Sequence, residues 1–149
     1  MLWTLCEVIL DELMSRKIKT YSELAKLDSF VDRFNYLKLS AAVGKSTFGF
    51  DRYMNQFFYH SDRWKEVRDI VIARDKACDL GVEGFDLHGK IIVHHMNPLL
   101  LNDIVTDSEF LLNPEYLIAT CHRTHNAIHY GDENLLTIGP ALRSANDTC

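Results

Sequence analysis

The stretch "IIVHHMNPLL" (residues 91–100) runs from a β-branched segment into two adjacent histidines, and its reading decides the fold. Residues 91–93 predict a short strand. Downstream, "YLIATC" (residues 116–121) reads as a second strand, and "RTHNAIHYG" (residues 123–131) as a short helix closed by Gly131. The order is strand, loop, strand, helix, and with the helical segments before it the fold class is α+β. Of the seven histidines, His94, His95, His122, His125 and His129 lie in or beside this unit. His125 and His129 are four apart. On a helix they share a face, with Cβ atoms about 5–6 Å apart, so both imidazoles can reach one cation. Adjacent strand residues point to opposite sides. Only one of His94 and His95 can join the helix pair, and the other is left for different chemistry.

Upstream, "SDRWKEVRDIVIARDK" (residues 61–76) reads as a helix capped by Ser61 or Asp62, with Trp64, Val67 and Val71 on one face. Arg63, Lys65, Arg68 and Arg74 make it the richest basic segment near the histidines, although Asp62, Glu66 and Asp69 offset much of that charge. Residues 78–90 read as a glycine-punctuated turn region, and residues 96–115 as a long loop with short helical turns. Residues 22–42 read as one helix or two. Ser22 is a candidate cap for the first, and Asp28 or Ser29 for a second beginning at Phe30. Residues 3–15 carry Trp3, Cys6, Ile9, Leu10 and Leu13 at helical spacing. The glycine-containing stretch 43–50 marks a soft boundary. Its "GKST" lacks the first glycine of a phosphate-binding loop, since Leu39 stands there, and no hydrophobic strand precedes it. The expected organisation is a helical N-terminal extension (1–50), a domain carrying the histidines (51–134) and a tail (135–149).

The 149 residues, 47% hydrophobic and 25% charged, suit one soluble globular domain with a real core. No apolar run approaches the ~20 residues of a membrane span. Glu7, Asp11 and Glu12 interrupt the apolar N-terminus, which has no basic leader region, so a cytoplasmic location is expected. Cys6, Cys78, Cys121 and Cys149 are too scattered for a disulfide framework, and no C-x-x-C pair exists to build a four-cysteine zinc knot. A net charge of −5 weighs against simple, tight nucleic-acid binding. It leaves room for a local basic face, a bound cation or a protein partner.

"VHHMNP" followed by "LIATCHRTHNAIHYG" resembles the HNH endonucleases of the ββα-metal fold. More narrowly, it resembles the short HNH proteins of bacteriophages that infect Gram-positive bacteria. The approach "FYHSDRWKEVRDIVIARDKACDLG" (residues 58–81) is similar to the segment that precedes the motif in many phage HNH proteins. The resemblance is strong over residues 57–131, while residues 48–56 resemble only the narrower group. It implies His94 as the first metal ligand, His95 as the general base, and His125 and His129 as the two helix ligands. The activity implied is hydrolysis of DNA phosphodiester bonds with one divalent ion (Mg²⁺, Mn²⁺, Ni²⁺ or Zn²⁺), in a bacterial host cell. The narrower group implies a role alongside the DNA-packaging terminase or other packaging proteins.

Arg123, Arg68 and Lys65 are then the expected DNA contacts. His122 has a phosphate contact or a plain surface position open to it. Asn126 either orients substrate or caps a backbone group. Two positions depart from the pattern. The central Asn of the motif falls on Tyr116, with Asn113 nearby as a substitute that could order the loop. Relatives with a structural zinc use two C-x-x-C pairs, but here Gly81 and Thr124 fill the second position of each. No structural zinc is expected, and Cys78 and Cys121 are expected as packed core thiols. Two rivals stand beside the nuclease reading. One is a weakly active or inactive HNH-fold DNA-binding module of a packaging complex. The other is a metal-stabilised interaction protein, with four protein ligands on its ion.

Overall fold

The computed structural model describes residues 17–39 and 52–136. The expected helix 3–15, the stretch 43–50 and all but the first two residues of the tail lie outside them. Two short N-terminal helices, α1 (Tyr21–Leu24) and α2 (Phe30–Leu37), are followed by α3 (Arg52–His60) and α4 (Asp62–Arg74). Strand β1 (Ile92–His95) leads through α5 (Leu101–Thr106) and α6 (Glu109–Leu112) into β2 (Leu117–Thr120), and α7 (His122–Tyr130) follows. The long loop between the strands carries its short helical turns as these two elements.

Local chemistry sets most boundaries. Ser29 caps α2, its Oγ accepting from Asp32 N at 3.0 Å, and Ser61 caps α4, accepting from Trp64 N at 3.2 Å. Thr20, rather than Ser22, caps α1. Gly131 ends α7 with φ 64°, a left-handed conformation that costs glycine no Cβ clash.

The sheet is one antiparallel pair in the register Ile92↔Thr120, Val93↔Ala119, His94↔Ile118 and His95↔Leu117. Opposed residues share a face, so the four-residue strands sort their side chains onto two sides. Ile118 joins Leu80, Met96, Ala127 and Ile128 in one buried cluster against α7. Val93 and Leu117 join Trp64 and Val71 of α4 in a second cluster, with Phe58, Val67, Ile72 and Leu112 around it. The sheet is thus a partition between two cores, and His94 and His95 lie on opposite sides of it.

Residues 17–39 do not behave as an appendage. Leu24, Phe34 and Leu37 are fully buried in the same cluster as Ile118 and Ile128. Lys19 and Asn97 exchange two backbone–side-chain hydrogen bonds, each 2.8 Å, and Leu39 N donates to Ile128 O at 2.9 Å. Phe30 stacks on Phe85 at 4.6 Å. Arg33 is buried because its Nε donates to Leu27 O (2.8 Å) and its Nη1 to Leu80 O (2.7 Å). A buried guanidinium is tolerated when such acceptors meet it.

Arg74, counted with the basic surface of α4 in sequence, turns inward instead. It donates to Pro114 O and Leu117 O, both at 2.7 Å, and sits 3.5 Å over the Tyr21 ring. It also pairs with Asp75 at 2.8 Å, whose other oxygen accepts from Ala119 N. One side chain ties α1, α4 and the entry to β2 together.

Candidate metal centre

His94 comes from the partition face that meets α7, and His125 and His129 project from α7 toward it. The imidazole of His94 lies 4.9 Å from that of His129 and 5.2 Å from that of His125, with both planes nearly perpendicular to it. The Nε2 atoms of His125 and His129 are 3.2 Å apart. One nitrogen from each of the three rings falls within 4.8 Å of the others, so the group is placed to hold a metal ion.

Two further observations test the fit. A tetrahedral ion with metal–nitrogen bonds of about 2.0–2.1 Å sets neighbouring ligand nitrogens about 3.3 Å apart, close to the His125–His129 separation. The protonation states also suit a cation. Burial holds His94 well below the usual histidine range, helped by the neighbouring His129 and His125. Burial lowers His129 to about 4, with His125 adding to it, and lowers His125 as well. Three neutral imidazoles with lone pairs converge, as a metal requires.

Asn126 helps to aim one of them. Its Oδ1 lies 3.4 Å from His125 Nδ1, and its Nδ2 donates to His122 Nε2 at 3.2 Å. A carbonyl oxygen only accepts, so the contact assigns the proton of His125 to Nδ1 and leaves Nε2 for the ion. Asn126→Ala is expected to weaken metal affinity by roughly 10- to 100-fold, read by titration with a coloured competitor chelator. An unchanged affinity would remove Asn126 from the site.

His95 is on the other side. Its ring stacks on Trp64 at 5.2 Å and 17°. Its Nε2 is 3.0 Å from Leu111 O, one of the carbonyls that the last turn of α6 leaves without a helical partner. That oxygen accepts, so Nε2 carries the proton and Nδ1 the lone pair. Burial lowers His95 to about 4, so it is neutral at pH 7. A neutral, orientationally fixed imidazole whose Nδ1 keeps its lone pair is equipped to take a proton.

The remaining expected site residues scatter. Asn113 caps the turn Pro114–Tyr116 that enters β2, its Oδ1 accepting from Glu115 N at 3.0 Å, so it orders the loop as a local hydrogen bond. Tyr116 packs on Phe110 at 4.7 Å, and its carbonyl accepts from Met96 N at 2.9 Å. Arg123 and His122 are exposed on the first turn of α7. Lys65 is exposed and paired with Asp62 at 3.0 Å. Arg68 is half-buried, donating to Ile91 O at 3.3 Å and pairing with Asp69 at 3.4 Å, so its guanidinium is partly committed to the fold.

Cys121 departs from the expected core thiol. It is half-buried at the N-cap of α7, its Sγ meeting Thr124 N at 3.4 Å and Asp79 Oδ2 at 3.3 Å. The Asp79 carboxylate also accepts from the Thr124 hydroxyl at 2.5 Å and from Cys121 N at 3.3 Å. Burial raises the Asp79 carboxyl above its usual value. This network fastens the start of α7, the helix that carries His125 and His129, to the turn Asp79–Gly81. Cys78 is buried, as expected.

Compared with known proteins, the chain matches no family model, no curated protein and no solved structure. Among the described residues, no helix is long and apolar enough to cross a membrane. The assignment of a role therefore rests on the residues themselves. Sequence reasoning missed three participants: Trp64 as the stacking support of His95, the Leu111 carbonyl, and Asp79. A tryptophan on an apolar helix face gives no local sign of the imidazole it will meet, and backbone carbonyls have no signature at all.

Proposed function

We propose that the chain is a metal-dependent endonuclease that hydrolyses DNA phosphodiester bonds, with a ββα-metal core of the HNH type. The observation that carries this reading is the division of two adjacent histidines. His94 faces α7 and joins His125 and His129, while His95 faces α4 and keeps its Nδ1 lone pair away from that cluster.

The residues divide the work. His94, His125 and His129 would hold the cation. When bound, a divalent ion supplies positive charge that stabilises the scissile phosphate and the departing 3′ oxygen. His95 takes a proton from the attacking water through Nδ1, while Nε2–H remains anchored on Leu111 O. An approaching phosphate favours the protonated imidazole, which lifts the basicity of His95 toward the working range as the proton moves. Trp64 holds the ring plane. Exposed Arg123 and Lys65 are assigned to phosphate contacts, and Arg68 to a weaker one. The metal's identity is among Mg²⁺, Mn²⁺, Ni²⁺ and Zn²⁺. The acidic overall charge fits work within a larger packaging assembly that includes terminase, an assignment by analogy of fold.

The test is relaxation and linearisation of supercoiled plasmid by purified protein with each of the four cations. Cutting that appears with one or more cations and stops on chelation is expected. A folded, metal-loaded protein that leaves the plasmid intact would replace this reading with the DNA-binding module.

A further inference from the structure

The face of the sheet that carries His95 also carries an aromatic group that the hydrolytic scheme leaves unused. Tyr59, in the last turn of α3, meets Trp64 edge-on at 5.1 Å and 78°, and Phe58 at 5.1 Å and 68°. Trp64 in turn lies flat on His95. The Tyr59 and His95 ring centroids are 6.4 Å apart. Two aromatic neighbours hold the tyrosine, yet it remains 42% exposed. An aromatic side chain that is both fixed and exposed binds a flat partner with little further loss of conformational freedom. Its place beside His95 restricts the partner. A nucleotide whose phosphate is attacked by the water beside His95 has its base within a nucleotide's length of the Tyr59 ring, 6.4 Å from that imidazole.

Charge points the same way. Arg63 and Lys65 flank Trp64 on the first turns of α4, with side chains 67% and 60% exposed. Their pairs with Asp107 and Asp62 are solvent-exposed contacts of little net strength, so exchange for a phosphate is inexpensive. Single strands are bound where bases stack on a held aromatic ring and the backbone follows nearby positive charge, and here the cations belong to the same first turns of α4 as Trp64, the residue that Tyr59 packs on. In an intact duplex the bases are stacked on one another, and their faces are closed to such a ring.

We propose that Tyr59 is a stacking subsite for an unpaired nucleobase beside the scissile phosphate, so that single-stranded or locally unpaired DNA is the preferred substrate. This rests on the nuclease reading above. Loss of one base–aromatic stack corresponds to a decrease in affinity from about fivefold to about 150-fold.

The test is fluorescence anisotropy of one labelled oligonucleotide, offered single-stranded and as its blunt duplex, to the full chain and its Tyr59→Phe, Tyr59→Leu and Tyr59→Ala variants. Tyr59→Leu keeps apolar bulk against Trp64 and removes the ring with its hydroxyl, which Tyr59→Phe tests alone, so it remains informative if Tyr59→Ala fails to fold. Tighter binding of the single strand is expected. Tyr59→Phe should retain it, and Tyr59→Leu should lose it within the stated range while duplex binding changes little. Equal binding of both forms, or a Tyr59→Leu variant matching the wild type, would overturn the subsite. Plasmid cleavage on the same preparations separates the two ideas. Cation-dependent cutting with an unaffected Tyr59→Leu sinks only the subsite, whereas no cutting and no binding sinks both.

Discussion

His95→Ala is expected to lower DNA cleavage by ~10²-fold or more while leaving cation affinity unchanged. The magnitude follows from removing a positioned proton acceptor. The selectivity follows from the sheet. His95 shares its face with Val93 and Leu117, and its ring is held by Trp64 and the Leu111 carbonyl, so it offers no ligand atom to the cluster of His94, His125 and His129. Single-turnover rates on plasmid, beside a metal titration of the same protein, check it. The truncation leaves a gap against Trp64 and removes one hydrogen bond, so some loss of thermal stability is also expected, without loss of the fold. Cleavage that persists at the wild-type rate would remove His95 from the chemistry.

Phe34→Ala is expected to destabilise the protein by about 3–5 kcal/mol, the range for emptying a buried phenylalanine site. Phe34 is 1% exposed and packs in one cluster with Met96, Ile118, Ala127 and Ile128. If residues 17–39 were an independent extension, this change would leave the strands and α7 untouched. With a shared core, the whole described unit should unfold earlier in urea, in one transition, and metal affinity should fall with the folded fraction. Two separate transitions, with only the first displaced, would show the N-terminal helices to be a unit of their own.

Much of this arrangement was legible in sequence because its causes are local. The alternation of a strand sends His94 and His95 apart, the i, i+4 spacing brings His125 and His129 together, and Ser29, Ser61 and Gly131 mark helix ends by their own side chains or lack of one. The convergence of three imidazoles follows from those facts once β1, β2 and α7 are neighbours. What the sequence hid is non-local. Nothing near Phe34 or Leu37 announces Ile128 as a neighbour, so residues 17–39 read as an extension. Arg74 read as surface charge, because the carbonyls that receive it, Pro114 O and Leu117 O, come from distant segments. Cys121 read as a core thiol because its service as a helix cap depends on where α7 begins. Arg68 read as a free basic group because its acceptor is the backbone of residue 91.

The most direct measurement of the central claim is a set of cation-binding isotherms for the wild type, His94→Ala and His95→Ala. The expected result is one ion per chain for the wild type, the same ion with the same affinity for His95→Ala, and loss of that site in His94→Ala. Equal losses in both variants would place both histidines on the metal and contradict the division of labour on which the nuclease reading depends, and undiminished binding by His94→Ala would contradict the metal centre itself.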